Sequence, residues 1–315
     1  MEPNPFPRKA INRRHLWRIG AVAAAAAGGL TLWQGRGAAA AQDYFDQAAD
    51  LAGSDPVLNA IIDALSADFT VPHPTAPAPQ KIFDDVAVLS AGWVSATAIL
   101  TSAGVVLIDA LNNATEAERY IASGLRTLGI DPATIEYVVV THAHADHFGG
   151  AQYLADEYGA RVMMSPTDWT AAARVPGAPA RDLNITNGQR LTLGATPVTL
   201  RYTPGHTNGT VSPVFPVRWK GAAHTAMLWG GTKPPTATTA KQTYLNSVIS
   251  FASAMSSAGV DVELSNHAFA DNGLERMAQL RANPNGANPF VLGTAKTQTF
   301  MDVMELMMRG RIAQD

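Results

Sequence analysis

The sequence predicts a mixed α/β fold in which two β-sheets lie face to face with helices outside. Three observations lead there. Short β-branched or aliphatic runs, separated by Gly or polar turns, recur between residues 86 and 140 and again between 161 and 229, as in strand meanders. Stretches of helical spacing lie between and after those runs, and the economical packing of such a series is two sheets with helices outside. Hydrophobic residues make up 47% of the chain and charged residues 16%, with 26 Gly and 20 Pro in no collagen-like period. Such a chain is globular. Its 315 residues fit two domains of about 150 residues or one large one.

The first element is a removable leader. Arg8, Lys9, Arg13, Arg14 and Arg18 precede an apolar, Ala-rich stretch over 19–33, and small residues follow over 37–41. This is the order of an export signal. At about 15 residues the apolar stretch is shorter than the ~20 that a spanning helix needs, so no stable membrane span is expected after cleavage. Asn12-Arg13-Arg14-His15-Leu16-Trp17 resembles a twin-arginine signal, which sends a protein out already folded. Residues 1–41 therefore read as a signal cut after Ala41, with Ala39 and Ala40 as other cut sites and an uncleaved anchor as the other fate. A periplasmic or otherwise exported location is expected.

Residues 42–80 form an N-terminal segment. Leu51, Val57, Leu58, Ile61, Ile62 and Leu65 recur at helical intervals up to Phe69, which predicts a helical stretch. Four prolines over 71–80 then enforce a linker on the domain surface. The domain proper runs over 81–315. Strands are predicted at 86–89, 97–100 and 105–108, then a helix at 116–128 and a buried strand at 135–140. A looser repeat of the pattern places strands at 161–164, 190–193, 198–202, 210–217 and 224–229, with helices at 150–158, 241–258 and 297–312. Met301, Met304, Met307 and Met308 follow helical spacing and read as a packing face.

Composition narrows the chemistry. The chain has no cysteine, which excludes disulfides, thiolate metal sites, iron–sulfur clusters and thiol catalysis. Residues 1–41 hold six of the 23 Lys and Arg but one of the 26 Asp and Glu, leaving the body at −8 (17 basic against 25 acidic). An acidic body without a basic cluster argues against a nucleic-acid partner. A small-molecule substrate is expected.

Five of the eight histidines fall in three places: Thr141-His142-Ala143-His144-Ala145-Asp146-His147-Phe148-Gly149-Gly150, Pro204-Gly205-His206-Thr207 and Ser265-Asn266-His267. His142 and His144 follow the apolar run 137–140, and alternation along an extended chain sends both rings to one side. Asp146 and His147 then point to the other side of the turn, and Gly149-Gly150 let the backbone turn into the next helix. Burying several imidazoles and a carboxylate unpaired would cost roughly several kcal/mol. Imidazole and carboxylate without thiolate suit zinc, and can also hold iron or manganese. Six candidate ligands are enough for two metals with open positions. His73 and His224 read as ordinary histidines, and Trp93, Trp229 and Tyr244 as core or pocket aromatics.

From Lys81 to the C-terminus the chain resembles the metallo-β-lactamase fold superfamily, whose His-x-His-x-Asp-His signature it carries without a mismatch. Leu107-Ile108-Asp109-Ala110 is similar to the strand-ending Asp beneath that family's site. The resemblance implies a four-layer αββα sandwich with two zinc ions at one edge between the sheets. It assigns His142, His144 and His206 to one zinc and Asp146, His147 and His267 to the other. Asp109 would receive the other ring N–H of a ligand histidine or fix the turn. Many members, including glyoxalase-type thioesterases and many lactonases, place a bridging Asp at a strand end between the last two histidines, and two β-lactamase subclasses place a Cys there. This chain has Met227-Leu228-Trp229-Gly230-Gly231-Thr232 at that point. Asp261 and Glu263 do not match the bridging spacing. The absence is similar to the third, cysteine-free β-lactamase subclass, whose members are typically exported.

Two divalent ions about 3.5–4 Å apart share a water and generate hydroxide at neutral pH, and Asp146 would orient it as the catalytic carboxylate. A cyclic amide opened in the manner of a β-lactamase fits first. A lactonase, thioesterase or other ester hydrolase is the alternative enzyme, and a metal-binding protein without turnover the alternative class. Thr232 and Lys233 follow the strand end and are expected to face the second metal, where they would take a substrate carboxylate or, for Lys233, form a solvated loop.

Overall fold

The computed structural model describes residues 30–315. The chain divides into two compact units, Met1–Arg36 and Gly37–Asp315. The arginine pair and most of the apolar stretch of the leader lie outside the described residues. Among the described residues no helix is long and apolar enough to cross a membrane.

Helix α1 (Leu30–Ala52) is followed by Gly53 at φ +51 and by α2 (Pro56–Leu65). Asp55 caps α2 by accepting from Val57 N and Leu58 N, with Pro56 in the first turn, where its missing N–H costs nothing. The expected helical stretch is thus two helices, because Gly supplies the left-handed turn and Asp-Pro restarts the chain. Residues 66–79 carry neither helix nor strand.

The first sheet holds, in spatial as in chain order, β1 (Gln80–Phe83), β2 (Val86–Ser90), β3 (Ser95–Thr101), β4 (Gly104–Ile108), β5 (Ile135–Val139), β6 (Arg161–Met164) and β7 (Leu183–Asn184). The strands β1 to β4 pair antiparallel and β4 to β7 parallel. Parallel neighbours need crossovers. Between β4 and β5 runs a helical stretch of α3 (Ala114–Glu116), a π-helical turn (Ala117–Ala122) and α4 (Ser123–Thr127). Two helices, α5 (Ala145–Phe148) and α6 (Ala151–Tyr158), join β5 to β6, and α7 (Pro166–Ala172) follows β6.

The second sheet is an antiparallel meander of β8 (Gln189–Leu193), β9 (Thr196–Tyr202), β10 (Val211–Trp219) and β11 (Ala222–Trp229). After α8 (Thr238–Ala258), β12 (Val262–Ser265) adds parallel to β11. Two more helices, α9 (Gly273–Ala282) and α10 (Thr294–Ala313), complete the chain.

Side-chain alternation builds the layers. Val106 and Ile108 of β4 face the inter-sheet core with Val139, Val198, Val211 and Leu228, whereas Val105 and Leu107 pack outward on Ile121, Leu125 and Leu154 of the helices. Met227 and Trp229 of β11 point outward to Tyr244, Val248, Phe251 and Met304, in a cluster that includes residues of α1, α2 and α10. Each fully buried aliphatic side chain of this kind contributes roughly 1.5–3 kcal/mol. The result is the expected αββα order, and the methionines of α10 are its packing face.

Candidate metal centre

The sandwich brings six ligand atoms to the strand ends of both sheets. His142 and His144 follow β5, Asp146 and His147 lie in α5, His206 sits between β9 and β10, and His267 follows β12. They form two groups of three, His142/His144/His206 and Asp146/His147/His267. In the first, Nε2 of His206 lies 3.1 Å from Nε2 of His142 and 3.1 Å from Nδ1 of His144. In the second, Nε2 of His147 lies 3.2 Å from Nε2 of His267 and 3.1 Å from Asp146 Oδ2, which is 3.6 Å from His267.

Four of the five rings are held from behind. Nδ1 of His142 contacts Gly230 O at 2.7 Å, that of His206 Lys233 O at 2.6 Å, that of His267 Trp93 O at 3.1 Å and that of His147 Asp109 Oδ2 at 2.7 Å. A carbonyl only accepts, so Nδ1 of His142, His206 and His267 carries the proton and Nε2 of each neutral ring is a bare lone pair. Burial, followed by the neighbouring histidines, pushes His142 far down and His206 to about 3. Burial, then His147, pushes His267 to about 4. Lone pairs of His142 and His206 therefore face each other at 3.1 Å, an arrangement that a cation relieves. For His147, burial is outweighed by the carboxylates of Asp146 and Asp109, which raise it to about 10. Burial also opposes ionisation of Asp146, but the facing His147 and His267 hold it well below the usual carboxylate range. Three imidazoles in one group, and two imidazoles with a carboxylate in the other, fit divalent zinc-type ions with room for further ligands.

Asp109 knits the floor. It is fully buried, with φ 64, a strained position for a non-glycine residue. Its carboxylate accepts from Thr141 N (2.7 Å), Thr141 Oγ1 (2.9 Å) and Asn266 Nδ2 (3.0 Å) as well as facing His147. Gly149 and Gly150 do not take left-handed φ; each is where backbones press together, since a Cβ would lie 1.9 Å from Asn112 O and 2.3 Å from Ala110 O respectively.

The stretch after β11 sits against the first group rather than the second, because Gly230 O and Lys233 O anchor His142 and His206. Thr232 is buried, its carbonyl accepting from Tyr244 Oη at 2.8 Å, while Lys233 is exposed. Trp229 and Tyr244 are core residues that brace this stretch, Trp229 Nε1 donating to Gly231 O at 2.8 Å. Asp261 pairs with His224 at 2.6 Å and Glu263 with Arg276 at 2.9 Å, so neither serves the centre. Trp93 and Phe269 each stack on His267, with ring centroids 5.6 and 4.9 Å away.

Sequence reasoning missed Asn266 and Asp168. Asn266 lies inside a motif whose signal is its histidine. Asp168 is buried, accepting from Ala143 N at 2.9 Å and Thr207 Oγ1 at 2.6 Å; burial pushes its carboxyl up, against these donors. Its one sequence signal is Ser165-Pro166-Thr167-Asp168, a capped helix start.

Residues 91–218 match the model of the Metallo-beta-lactamase superfamily. Hydroxyacylglutathione hydrolase of Acidiphilium cryptum (strain JF-5) is 40% identical over 81 residues, 26% of this chain and 31% of the relative. That of Brucella anthropi is 32% identical over 83 residues, 26% of this chain and 30% of the relative. The matched region thus spans about a third of the length of these curated relatives. Among solved structures, BJP-1, a subclass B3 metallo-beta-lactamase of Bradyrhizobium japonicum, aligns with TM-score 0.61 at 22% identity over 73% of this chain and 92% of that one. The native FEZ-1 metallo-beta-lactamase from Legionella gormanii aligns with TM-score 0.64 at 20% identity over 75% and 96%. At such identities the likeness is one of fold.

Proposed function

We propose that this chain, which carries a metallo-beta-lactamase superfamily domain, is an exported metal-dependent hydrolase that opens a cyclic amide in the manner of a β-lactamase. The observation that carries the reading is the pair of three-donor groups, in which His142, His206 and His267 turn bare Nε2 atoms inward. Bound zinc ions would supply a water activated for attack at neutral pH and an electrophile for the scissile carbonyl. The chain's own residues do the rest. Gly230 O, Lys233 O, Trp93 O and Asp109 fix the four ring orientations, so little reorganisation is left for the reaction itself. Asp146, ionised and partly open to solvent, would accept a hydrogen bond from the attacking water and orient it. Exposed Lys233, beside His206 through its carbonyl, would take a substrate carboxylate as a point charge.

Among the described residues, neither three-donor group includes a residue of the stretch after β11, which supports the lactamase reading over the thioesterase one. The partial likeness to hydroxyacylglutathione hydrolases supports thioester hydrolysis as the second reading. Elemental analysis together with a panel of chromogenic cephalosporin, lactones and a glutathione thioester, with zinc and with chelator, decides between them. Zinc-dependent cleavage of the cephalosporin is expected. Turnover confined to the thioester would move the assignment, and two equivalents of zinc without turnover on the panel would favour a metal-binding protein.

Export rests on the leader's Arg13-Arg14 pair and short apolar stretch. Replacing both arginines by Lys is expected to retain the precursor inside the cell, and undiminished export would exclude the twin-arginine route.

A further inference from the structure

His144 differs from the other four histidines of the centre. It is exposed, it turns Nδ1 rather than Nε2 toward His206, and among the described residues its remaining ring nitrogen has no hydrogen-bond partner. A metal-binding ring is ordinarily oriented by a hydrogen bond at its other nitrogen. Here the backbone must place it instead. Ala143, between His142 and His144, donates its N–H to Asp168 Oδ2 at 2.9 Å, and the same oxygen accepts from the hydroxyl of Thr207, the neighbour of His206, at 2.6 Å. One carboxylate oxygen therefore joins the two loops that carry all three ligands of the first group. Asp168 is 1% exposed, and its own N–H is held by Ser165 Oγ at 3.2 Å, so it stands on the capped start of α7. The fit is close. A Cβ at Gly209 would lie 2.1 Å from Ser165 Oγ and 2.5 Å from Asp168 Oδ1, so the loop carrying His206 rests directly on this corner. Neither bond accepted by Asp168 Oδ2 comes from Asp146, His147 or His267.

We infer that Asp168 is a positioning residue that sets the metal affinity of the His142/His144/His206 group separately from that of the second group. The inference rests on the metal-hydrolase reading. The buried carboxylate replaces, through Ala143 N–H, the ring hydrogen bond that His144 lacks, and through Thr207 it locks His206 in register with it.

The test is zinc affinity of the full chain, measured by competition with a chromophoric chelator, together with the ligand-field spectrum of the cobalt-substituted protein. Asp168→Ala is expected to weaken one of two zinc ions by about 10–100-fold while the other keeps its affinity, and to alter the cobalt bands lost in His206→Ala but not those lost in His267→Ala. Thr207→Val, which leaves the buried acid in place, is expected to do the same in smaller measure, and Thr207→Ser to restore wild-type binding. If Asp168→Ala does not fold, the Thr207 pair decides alone. Two zinc ions bound to Asp168→Ala, or to Thr207→Val, with wild-type affinity would overturn the inference. Equal weakening of both ions would do so too, since the effect would then be structural. A wild-type chain that binds no zinc would instead overturn the metal-hydrolase reading.

Discussion

At the scale of the residue, the centre depends on acceptors that are not ligands. Asp109 receives three donors and faces His147 while wholly buried. Asp109→Asn keeps the volume but turns an N–H₂ toward groups that themselves donate, which leaves a buried donor unsatisfied at about 1–3 kcal/mol. It also removes a carboxylate that raises His147. The expected outcome is a metal-free protein that unfolds at lower temperature and a second group whose zinc affinity falls by about 10–100-fold, read by calorimetric titration; unchanged affinity would remove Asp109 from the centre. The two candidate ligand groups are legible in the sequence, because imidazoles and a carboxylate crowded at such spacing repel or lose hydration unless a cation joins them. Their supports are not. Gly230 O, Lys233 O and Trp93 O are backbone acceptors, which every residue type offers alike, and Asp168 resembles any acid in the first turn of a helix.

At the scale of the element, Asp55 shows how one cap holds the N-terminal helices to the body. It caps α2 and pairs with Lys296 of α10 at 2.7 Å. Burial works against its ionisation, but Lys296 and the two capping N–H groups prevail and its pKa is lowered. A lowered folded value means that the contribution is whole above the ordinary carboxylate value, about 3.9, and is lost as pH falls through the folded value. Asp55→Ala is expected to cost about 1 kcal/mol at neutral pH, with the difference from wild type vanishing in acid; denaturant unfolding at both pH values checks it. A difference that persisted in acid would mean that packing, not the ionised cap, is lost. Length makes α8 and α10 readable, helped in α10 by the spacing of Met301, Met304, Met307 and Met308, and continuous apolar runs do the same for the central strands. The sequence analysis does not predict β1, β7, β12, α7 or α9; β7 spans 2 residues, too few for a period to show. Their existence is set by pairing and packing with distant chain rather than by local pattern.

At the scale of the molecule, each ligand group straddles the sandwich. His142 and His144, like Asp146 and His147, follow the first sheet's β5, whereas His206 and His267 hang from the second sheet at the ends of β9 and β12. The two-sheet order is readable because short apolar strand runs cluster with helices between and after them; which loops meet across the sandwich follows from the registers, which a sequence does not display. A metal in either group therefore closes a long loop between sheets and binds the folded chain alone. Stabilisation of the folded state follows RT ln(1 + [L]/Kd), about 2.7 kcal/mol per site at a hundredfold excess over Kd, and a change of 1 kcal/mol moves Tm by roughly 2–4 °C in a domain of about 150–250 residues. Calorimetric scans at graded free zinc are thus expected to show Tm rising with the logarithm of zinc concentration. His267→Ala, which opens the second group only, should lower that slope to about half. A Tm that ignores zinc would mean that the six ligands do not hold metal across the sheets. A slope unchanged by His267→Ala would mean that the first group alone does so.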